Sequence, residues 1–544
     1  MSWKEGEVTT DVISSLFDRG SSVRDPVSIE SNEIRLSDLE KKNIIFGRPG
    51  TGKTTAITHV INEYLSNGNK TGVLYLTYSR SMAKEARDKL GLDKNTVGTL
   101  HSIFSRRLGW RKTNDPETSN FLSDDEISKF ADYYGLKKTK KFRPWDEDSA
   151  EEEDEWSKFM LAYDAAKNRL PEERLSRFLE AERFDPDFIA ERYDGMKLEK
   201  GKHDYTDILL KANKIDFWPL DLFIVDEAQD LTPLMWSIAE RIAARSRIVI
   251  YAGDDLQSIY KFRGAEARLF LSQRKGAKIF HLKTSHRMAI EIKAVSDGVA
   301  SRIKVKEEVD FLPNGMHGRF DRSAELSSLL GLPGPRFILC RTRYVTEQVA
   351  EELMKQDVVF VPINQRHQRL SPWSVKLITL SNAMSNWPDV PEELLYELLG
   401  DIPATMLVRG VKTLVANRDY KILDRMMYEP LLMKKSAVRL FKQEPTAEEV
   451  IRSLSIPDEK KDLLLSYIGR KIKTEDVVRL DTYHASKGLE ARSVGVVLDI
   501  TKKVMESMEE DPDSELRNLY VALTRSKENL IVLNLNIGGW NYDV

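Results

Sequence analysis

Short apolar runs recur along the chain, and most lead through a polar turn into a segment with helical spacing. In the first half these runs are Asn43-Ile44-Ile45-Phe46, Val73-Leu74-Tyr75-Leu76, Leu222-Phe223-Ile224-Val225 and Arg247-Ile248-Val249-Ile250-Tyr251. In the second half they are Phe337–Cys340, Val358–Val361, Val494–Leu498 and Leu530–Leu533. Short runs rich in Ile, Val, Leu and Phe fit strands covered on both faces, as in a parallel sheet. Between them, Ser81 to Leu90 places Met82, Ala86 and Leu90 on one helical face. The alternation predicts an α/β fold. The runs are too many and too dispersed for one sheet, so a second α/β domain is expected from about residue 275.

Two stretches break this rhythm. Residues 105–200 are charged and helical in pattern, with a basic run from Lys137 to Arg143 and an acidic one from Asp146 to Glu155. Residues 365–478 are again mainly helical in pattern, with expected helices at Pro391–Leu399, Asp424–Leu440 and Ala447–Leu454. Both read as insertions; solvated surface is the plain reading of either charge run and is the favoured one for the acidic run.

Composition narrows the class. The chain has 544 residues, 41% apolar and 31% charged, enough for several cores. It lacks an apolar run of membrane-spanning length, and the N-terminus lacks the apolar core of a signal peptide. The cytoplasm is the expected compartment. The single cysteine, Cys340, excludes an internal disulfide and a cysteine-based zinc site and is expected to be buried on a strand. A net charge of −3 means that any nucleic acid must be held by a local groove.

The chemistry starts at Gly47-Arg48-Pro49-Gly50-Thr51-Gly52-Lys53-Thr54, between a strand-like run and a helix opened by Thr55. Glycines let the backbone curl N–H groups around a polyphosphate, and the helix adds its positive end. Lys53 can reach the β- and γ-phosphates, and the Thr54 hydroxyl can sit on Mg²⁺. Asp226-Glu227-Ala228-Gln229-Asp230 follows another strand: Asp226 is placed to hold Mg²⁺, Glu227 to orient or deprotonate water. In Gly253 to Ala265, Gln257 could contact a γ-phosphate. Tyr260 and Phe262 alternate there with Lys261 and Arg263, a pattern suited to stacked bases and phosphates.

Taken in order, these segments resemble superfamily 1 DNA helicases of the UvrD/Rep/PcrA type, over roughly residues 40–540. Further matching segments are Thr77-Tyr78-Ser79-Arg80, Thr99-Leu100-His101-Ser102, Asp204–Ile208, Ser285-His286-Arg287, Thr482 to Glu490 and Arg517 to Ser526. The resemblance implies two RecA-like P-loop motor domains, each interrupted by a mainly helical insertion. The first would be 1–104 plus 201–274, interrupted by 105–200. The second would be 275–364 plus 479–544, interrupted by 365–478.

The resemblance also implies ATP and Mg²⁺ as cofactors, with Gly47 to Thr55 and Glu490 binding nucleotide and Thr54 and Asp226 binding metal. Lys53, Glu227, Gln257, Arg287 and Arg525 would be catalytic, the two arginines reaching the γ-phosphate from across a cleft. Tyr78, Arg80, His101, Tyr260, Phe262 and His484 would line a track for single-stranded DNA.

Three departures stand out. Phe262 replaces a Trp, His286 replaces a Tyr, and no Gln precedes Gln229 to read adenine. The chain ends at Val544, so no nuclease domain is expected after Arg525. The expected activity is 3′→5′ translocation with unwinding, on single strands and duplex junctions, by a monomer or weak dimer. A translocase that strips proteins without unwinding, or a nucleotide-switched recruitment factor, are the alternatives.

Overall fold

The computed structural model describes residues 28–30 and 33–542, apart from 69–71, 114–116, 139–153, 170–172, 180–182, 357, 359, 364–395, 538 and scattered positions between 397 and 476. The chain forms two compact units. The first holds residues up to Gly318 together with Lys503–Thr524, and the second holds Arg319–Lys502 and Arg525–Asp543.

The first unit is built on a seven-stranded parallel sheet. In chain order its strands are β1 (Ser28–Glu30), β2 (Lys42–Gly47), β3 (Val73–Leu76), β4 (Val97–Gly98), β5 (Leu220–Val225), β6 (Ser246–Gly253) and β7 (Lys278–Leu282). Across the sheet the order is β1-β7-β2-β6-β5-β3-β4. The apolar runs sort by alternation. Ile44, Phe46, Leu74, Leu76, Phe223, Val225 and Tyr251 enter one core, while Ile45, Val73, Tyr75, Leu222, Ile224 and Ile250 enter the other. With period-2 side chains, a sheet covered on both faces must read as an unbroken apolar run. Each fully buried Ile or Leu contributes roughly 1.5–3 kcal/mol.

The register pairs Phe46 with Gly253, Gly47 with Leu282 and Leu76 with Val225. The carboxyl ends of β2, β3, β5, β6 and β7 therefore share one edge, where open α/β sheets place their sites.

Between β4 and β5 the chain makes helices Leu100–Arg107, Asp124–Tyr133, Glu155–Lys167 and Pro186–Lys200. The last three surround an aromatic core of Phe130, Trp156, Phe159, Tyr163 and Tyr193. Inside it Lys197 donates to Asp204 at 2.8 Å and Asp207 at 2.9 Å. Most of both charge runs, residues 139–153, lies outside the described residues.

The expected boundary at residue 275 is corrected. β7 pairs with both β1 and β2, so residues up to Gly318 belong to the first unit. Lys503–Thr524, expected in the second domain, also packs with the first.

The second unit has a six-stranded sheet of β8 (Arg319–Ser323), β9 (Arg336–Cys340), β10 (Phe360–Pro362), β11 (Val478–Thr482), β12 (Ala491–Val497) and β13 (Ser526–Leu533). All its pairings are parallel, in the order β10-β11-β9-β12-β13-β8. Cys340 is fully buried at the end of β9, where burial pushes its thiol pKa well up. In the 365–478 stretch, Ala447–Ser453 is helical. The single helix expected over Asp424–Leu440 is not formed. Helix Tyr420–Met427 ends in an antiparallel pair, Tyr428–Glu429 with Lys434–Lys435. Pro430 lacks the N–H that continuing the helix needs. Most of Pro391–Leu399 lies outside the described residues.

Candidate nucleotide and nucleic-acid site

The loop after β2 has the geometry of an anion cradle. Gly50 and Gly52 take left-handed backbone angles, φ 74° and 87°, and Gly52 caps the Lys53–Ser66 helix. Helix N–H groups with no partner in the first turn face whatever sits in the loop. Lys53 Nζ donates to the Gly47 carbonyl at 2.7 Å, so the ammonium lies folded over the loop mouth. Thr54 Oγ1 donates to Asp226 Oδ2 at 3.1 Å, and the Tyr75 hydroxyl donates to the same oxygen at 3.0 Å.

Asp226 directly follows β5 and is 1% exposed. Burial, then the neighbouring Glu227 charge, raise its pKa to about 6; Lys53, Tyr75 and Thr54 act in the opposite direction. Glu227 holds φ 56°, a left-handed conformation unusual for a residue with a side chain. Such strain persists only where surrounding structure enforces it. Here Gln229 donates its amide to Glu227 Oε2 at 2.5 Å, and Gln229 Oε1 accepts from the Asp254 N–H at 3.1 Å. The carboxylate of Glu227 is thus aimed by a residue that also grips the end of β6. Gln257, 7% exposed, donates to Asp254 Oδ2 at 2.6 Å.

The segment Ser285-His286-Arg287 lies directly on the loop. Ser285 Oγ donates to the Pro49 carbonyl at 2.8 Å, and the His286 N–H to the Gly50 carbonyl at 2.9 Å. A Cβ on Gly50 would lie 2.4 Å from Arg287 Cβ. Arg287 therefore belongs to the same unit as the loop, which corrects the expectation that it arrives from the other domain. The Arg48 side chain is buried in ion pairs with Asp254 and Asp255 at 2.6 and 2.9 Å, leaving its backbone at the loop. Thr55, which follows Thr54 in the helix, is exposed.

The aromatic residues gather beside the first sheet. Tyr78 and Tyr260 stack with centroids 4.6 Å apart and planes 15° apart. Tyr260 is 6% exposed and packs against Ile259, Ala265 and Val521; Tyr78 and Phe262 keep part of their rings open. Arg263 Nη1 donates to the Tyr78 hydroxyl at 2.7 Å. His101 lies nearby, its pKa lowered to about 3 by burial, then by Arg263 and Arg80. It is a neutral ring at ordinary pH. Arg80 is exposed, and with His101, Arg87, Lys94, Arg106 and Lys112 it lines a groove of about 330 Å³.

Three expected site residues lie in the second unit. Arg525 is 1% exposed and donates to the Leu489 carbonyl at 3.2 Å. Glu490 pairs with Lys527. His484 begins the turn that follows β11. Sequence reasoning missed Tyr75, whose only signal was its place on a strand, and Ser285, whose signal was adjacency to Arg287. Among the described residues, no cluster of three or more His, Cys, Asp or Glu could hold a metal. The hydroxyl of Thr54 and the carboxylate of Asp226 do form an all-oxygen pair of the kind Mg²⁺ takes while keeping most of its water.

A parallel sheet with a phosphate cradle at its carboxyl edge and an acidic pair on the neighbouring strand end defines a P-loop nucleotide-binding protein. Comparison with known proteins narrows this. Residues 29–278 match the UvrD/REP helicase N-terminal domain, and residues 405–534 match the viral superfamily 1 RNA helicase core domain. A probable DNA helicase II homolog of Mycoplasma pneumoniae is 24% identical, over 91% of this chain and 82% of its own. The ATP-dependent DNA helicase PcrA of Bacillus subtilis is 22% identical over 53% of this chain and 40% of its own. The putative ATP-dependent DNA helicase YjcD of the same organism is 24% identical over 54% and 41%. The chain is thus similar to the UvrD-type superfamily 1 helicases, through a domain that covers residues 29–278 and through relatives 22–24% identical. No helix among the described residues is long and apolar enough to cross a membrane.

Proposed function

We propose that this protein is an ATP-dependent DNA helicase that moves 3′→5′ on single-stranded DNA and unwinds duplex. The observation that carries the reading is the pairing of Thr54 with Asp226 at 3.1 Å beside Lys53, with Glu227 aimed by Gln229 at 2.5 Å. A site built only to bind nucleotide needs the loop. It does not need a strained, oriented second carboxylate.

The loop N–H groups and Lys53 bind the triphosphate. Thr54 and Asp226 hold Mg²⁺, which supplies charge neutralisation on the phosphates. Glu227 accepts the proton of the attacking water. Arg287, packed on Gly50, and Arg525 are the cations assigned to the charge that spreads over the transferred phosphoryl group. Gln257 acts from the short turn that follows β6 once nucleotide draws it from Asp254. Glu490 is assigned to the ribose. Without a Gln upstream of the loop, adenine selectivity comes from other residues or is relaxed.

Tyr78 and Phe262 offer ring faces to bases, Arg80 meets phosphate, and His101 and His484 line the track. Tyr260 acts as a buried support beneath Tyr78 rather than as a stacking face. The expected partners are single strands and their junctions with duplex, bound by a monomer or weak dimer in the cytoplasm.

The test is the ATPase rate with and without single-stranded DNA or RNA, in wild type and Glu227→Gln. Strand displacement follows on 3′- and 5′-tailed duplexes. Strong DNA stimulation, lost in the variant, with displacement only from 3′ tails, is the expected result. Hydrolysis indifferent to DNA overturns the reading. Stimulation without displacement favours the protein-stripping translocase.

A further inference from the structure

Arg48 is the second residue of the phosphate loop, yet its side chain serves another purpose. It is 3% exposed. Nη1 reaches Asp254 Oδ1 at 2.6 Å and Asp255 Oδ1 at 2.9 Å, and Nη2 donates to the Glu307 carbonyl. Burial alone would lower its pKa, but Asp255 and Asp254 hold it well above the ordinary value. Asp255 uses its other oxygen to accept from the Glu307 N–H at 2.9 Å. Its carbonyl accepts from Arg517 Nε, also at 2.9 Å, and Arg517 donates further to the Val305 carbonyl.

Arg517 sits on helix Pro512–Leu523, which follows a stretch of the second unit and runs into one, yet itself belongs to the first. Asp513, in its first turn, accepts from the Lys304 and Val305 N–H groups at 2.9 Å each. Lys261 pairs with Asp511 at its N-cap. Thr524 is the last residue of the helix segment in the first unit, and Arg525 is the first residue back in the second.

We propose that Arg48, Asp255 and Arg517 are positioning residues that join the phosphate loop to the Pro512–Leu523 helix as one body. Nucleotide on the loop then sets the position of the helix that runs into Arg525. The proposal rests on nucleotide binding at this loop, as above. Three features carry it. The Arg48 guanidinium is consumed by two carboxylates and a carbonyl, so its side chain is not a nucleotide ligand. The planar fork meets all three at once, a geometry a lysine cannot reproduce. The same Asp255 touches both arginines, one through its side chain and one through its backbone.

The experiment is hydrogen exchange on the full chain, with and without Mg²⁺ and a non-hydrolysable ATP analogue, alongside ATPase kinetics. In wild type, the analogue should slow exchange across residues 512–523. In Arg48→Gln the analogue should still bind within about threefold of wild type, while that protection is lost. Arg517→Gln should lower DNA-stimulated kcat about tenfold with the KM for ATP unchanged, and Arg517→Lys should recover part of it.

Arg48→Gln leaves Asp254 and Asp255 buried without their cation, which destabilises the fold. The Arg48→Gln, Asp255→Asn double variant removes one of those charges; it should regain stability but not the protection. Loss of analogue affinity with helix protection intact makes Arg48 a ligand and overturns the proposal. So does a wild-type helix indifferent to the analogue. Protection in wild type without any DNA-stimulated hydrolysis would overturn the helicase reading and leave this one standing.

Discussion

The Thr54 hydroxyl and the Asp226 carboxylate are already joined at 3.1 Å, and Tyr75 holds the same carboxylate oxygen at 3.0 Å from the strand alongside. Asp226 is buried next to Glu227, and the Lys53 charge together with these two donors makes its own charge tolerable there. Tyr75→Phe removes one of them while keeping the ring. A hydrogen bond to a buried carboxylate is worth about 1.5–3 kcal/mol. Urea unfolding of Tyr75→Phe should show a loss of about that size. The Mg²⁺ concentration for half-maximal ATPase should rise several-fold, because the carboxylate is less ready to ionise.

Gly50 and Gly52 both have left-handed backbones, but only Gly50 is crowded. A Cβ there meets Arg287 Cβ at 2.4 Å, whereas at Gly52 the nearest atom is 3.9 Å away. Gly52→Ala should cost only the backbone strain, about 1–2 kcal/mol in thermal unfolding. Gly50→Ala adds displacement of the Ser285–Arg287 segment from the loop. Nucleotide affinity should fall at least about tenfold more in Gly50→Ala than in Gly52→Ala. Equal effects would mean that the contact with Arg287 does not matter.

What could be read in the sequence depended on how local the cause was. β2, β3, β5 and β6 read as apolar runs because both their faces are covered. β8 did not, because Arg319-Phe320-Asp321-Arg322-Ser323 is an edge strand with one apolar residue. β11 alternates polar and apolar residues, and its Asp481 is buried, which no pattern announces. β7 was assigned to the wrong domain because joining β1 and β2 is a long-range event. The phosphate loop and the Asp226–Glu227 pair were legible because their spacing is their chemistry. The destination of the Arg48 side chain was not: its partner Asp254 lies 206 residues away, and Asp255 joins Arg517 across 262.

Tyr78 and Tyr260 look equivalent in sequence but not in the structure. Tyr260 is covered, so Tyr260→Ala opens a cavity beneath Tyr78 and should destabilise the chain by about 3–4 kcal/mol. Tyr78→Ala should leave folding less affected and lower single-strand affinity by about 1–3 kcal/mol, the worth of one stacked base. Titration of a fluorescent oligonucleotide, paired with thermal melts, separates the two effects.

His101 supplies the pH prediction. Its pKa is lowered to about 3 in the fold from an ordinary value near 6.5. Between those values the unfolded chain binds a proton that the folded chain does not, so folding stability rises with pH across the window. The contribution is fully present above 6.5 and is lost as pH falls toward 3. From pH 6.5 to 5 the loss should be roughly 1–2 kcal/mol. His101→Gln should flatten that slope in urea unfolding measured at several pH values. Because the ring stays neutral, single-strand affinity should not rise between pH 7.5 and 6 on account of His101, and the salt dependence of binding should be the same in the variant. A steeper salt dependence in wild type at pH 6 would show that the ring is charged in the folded groove.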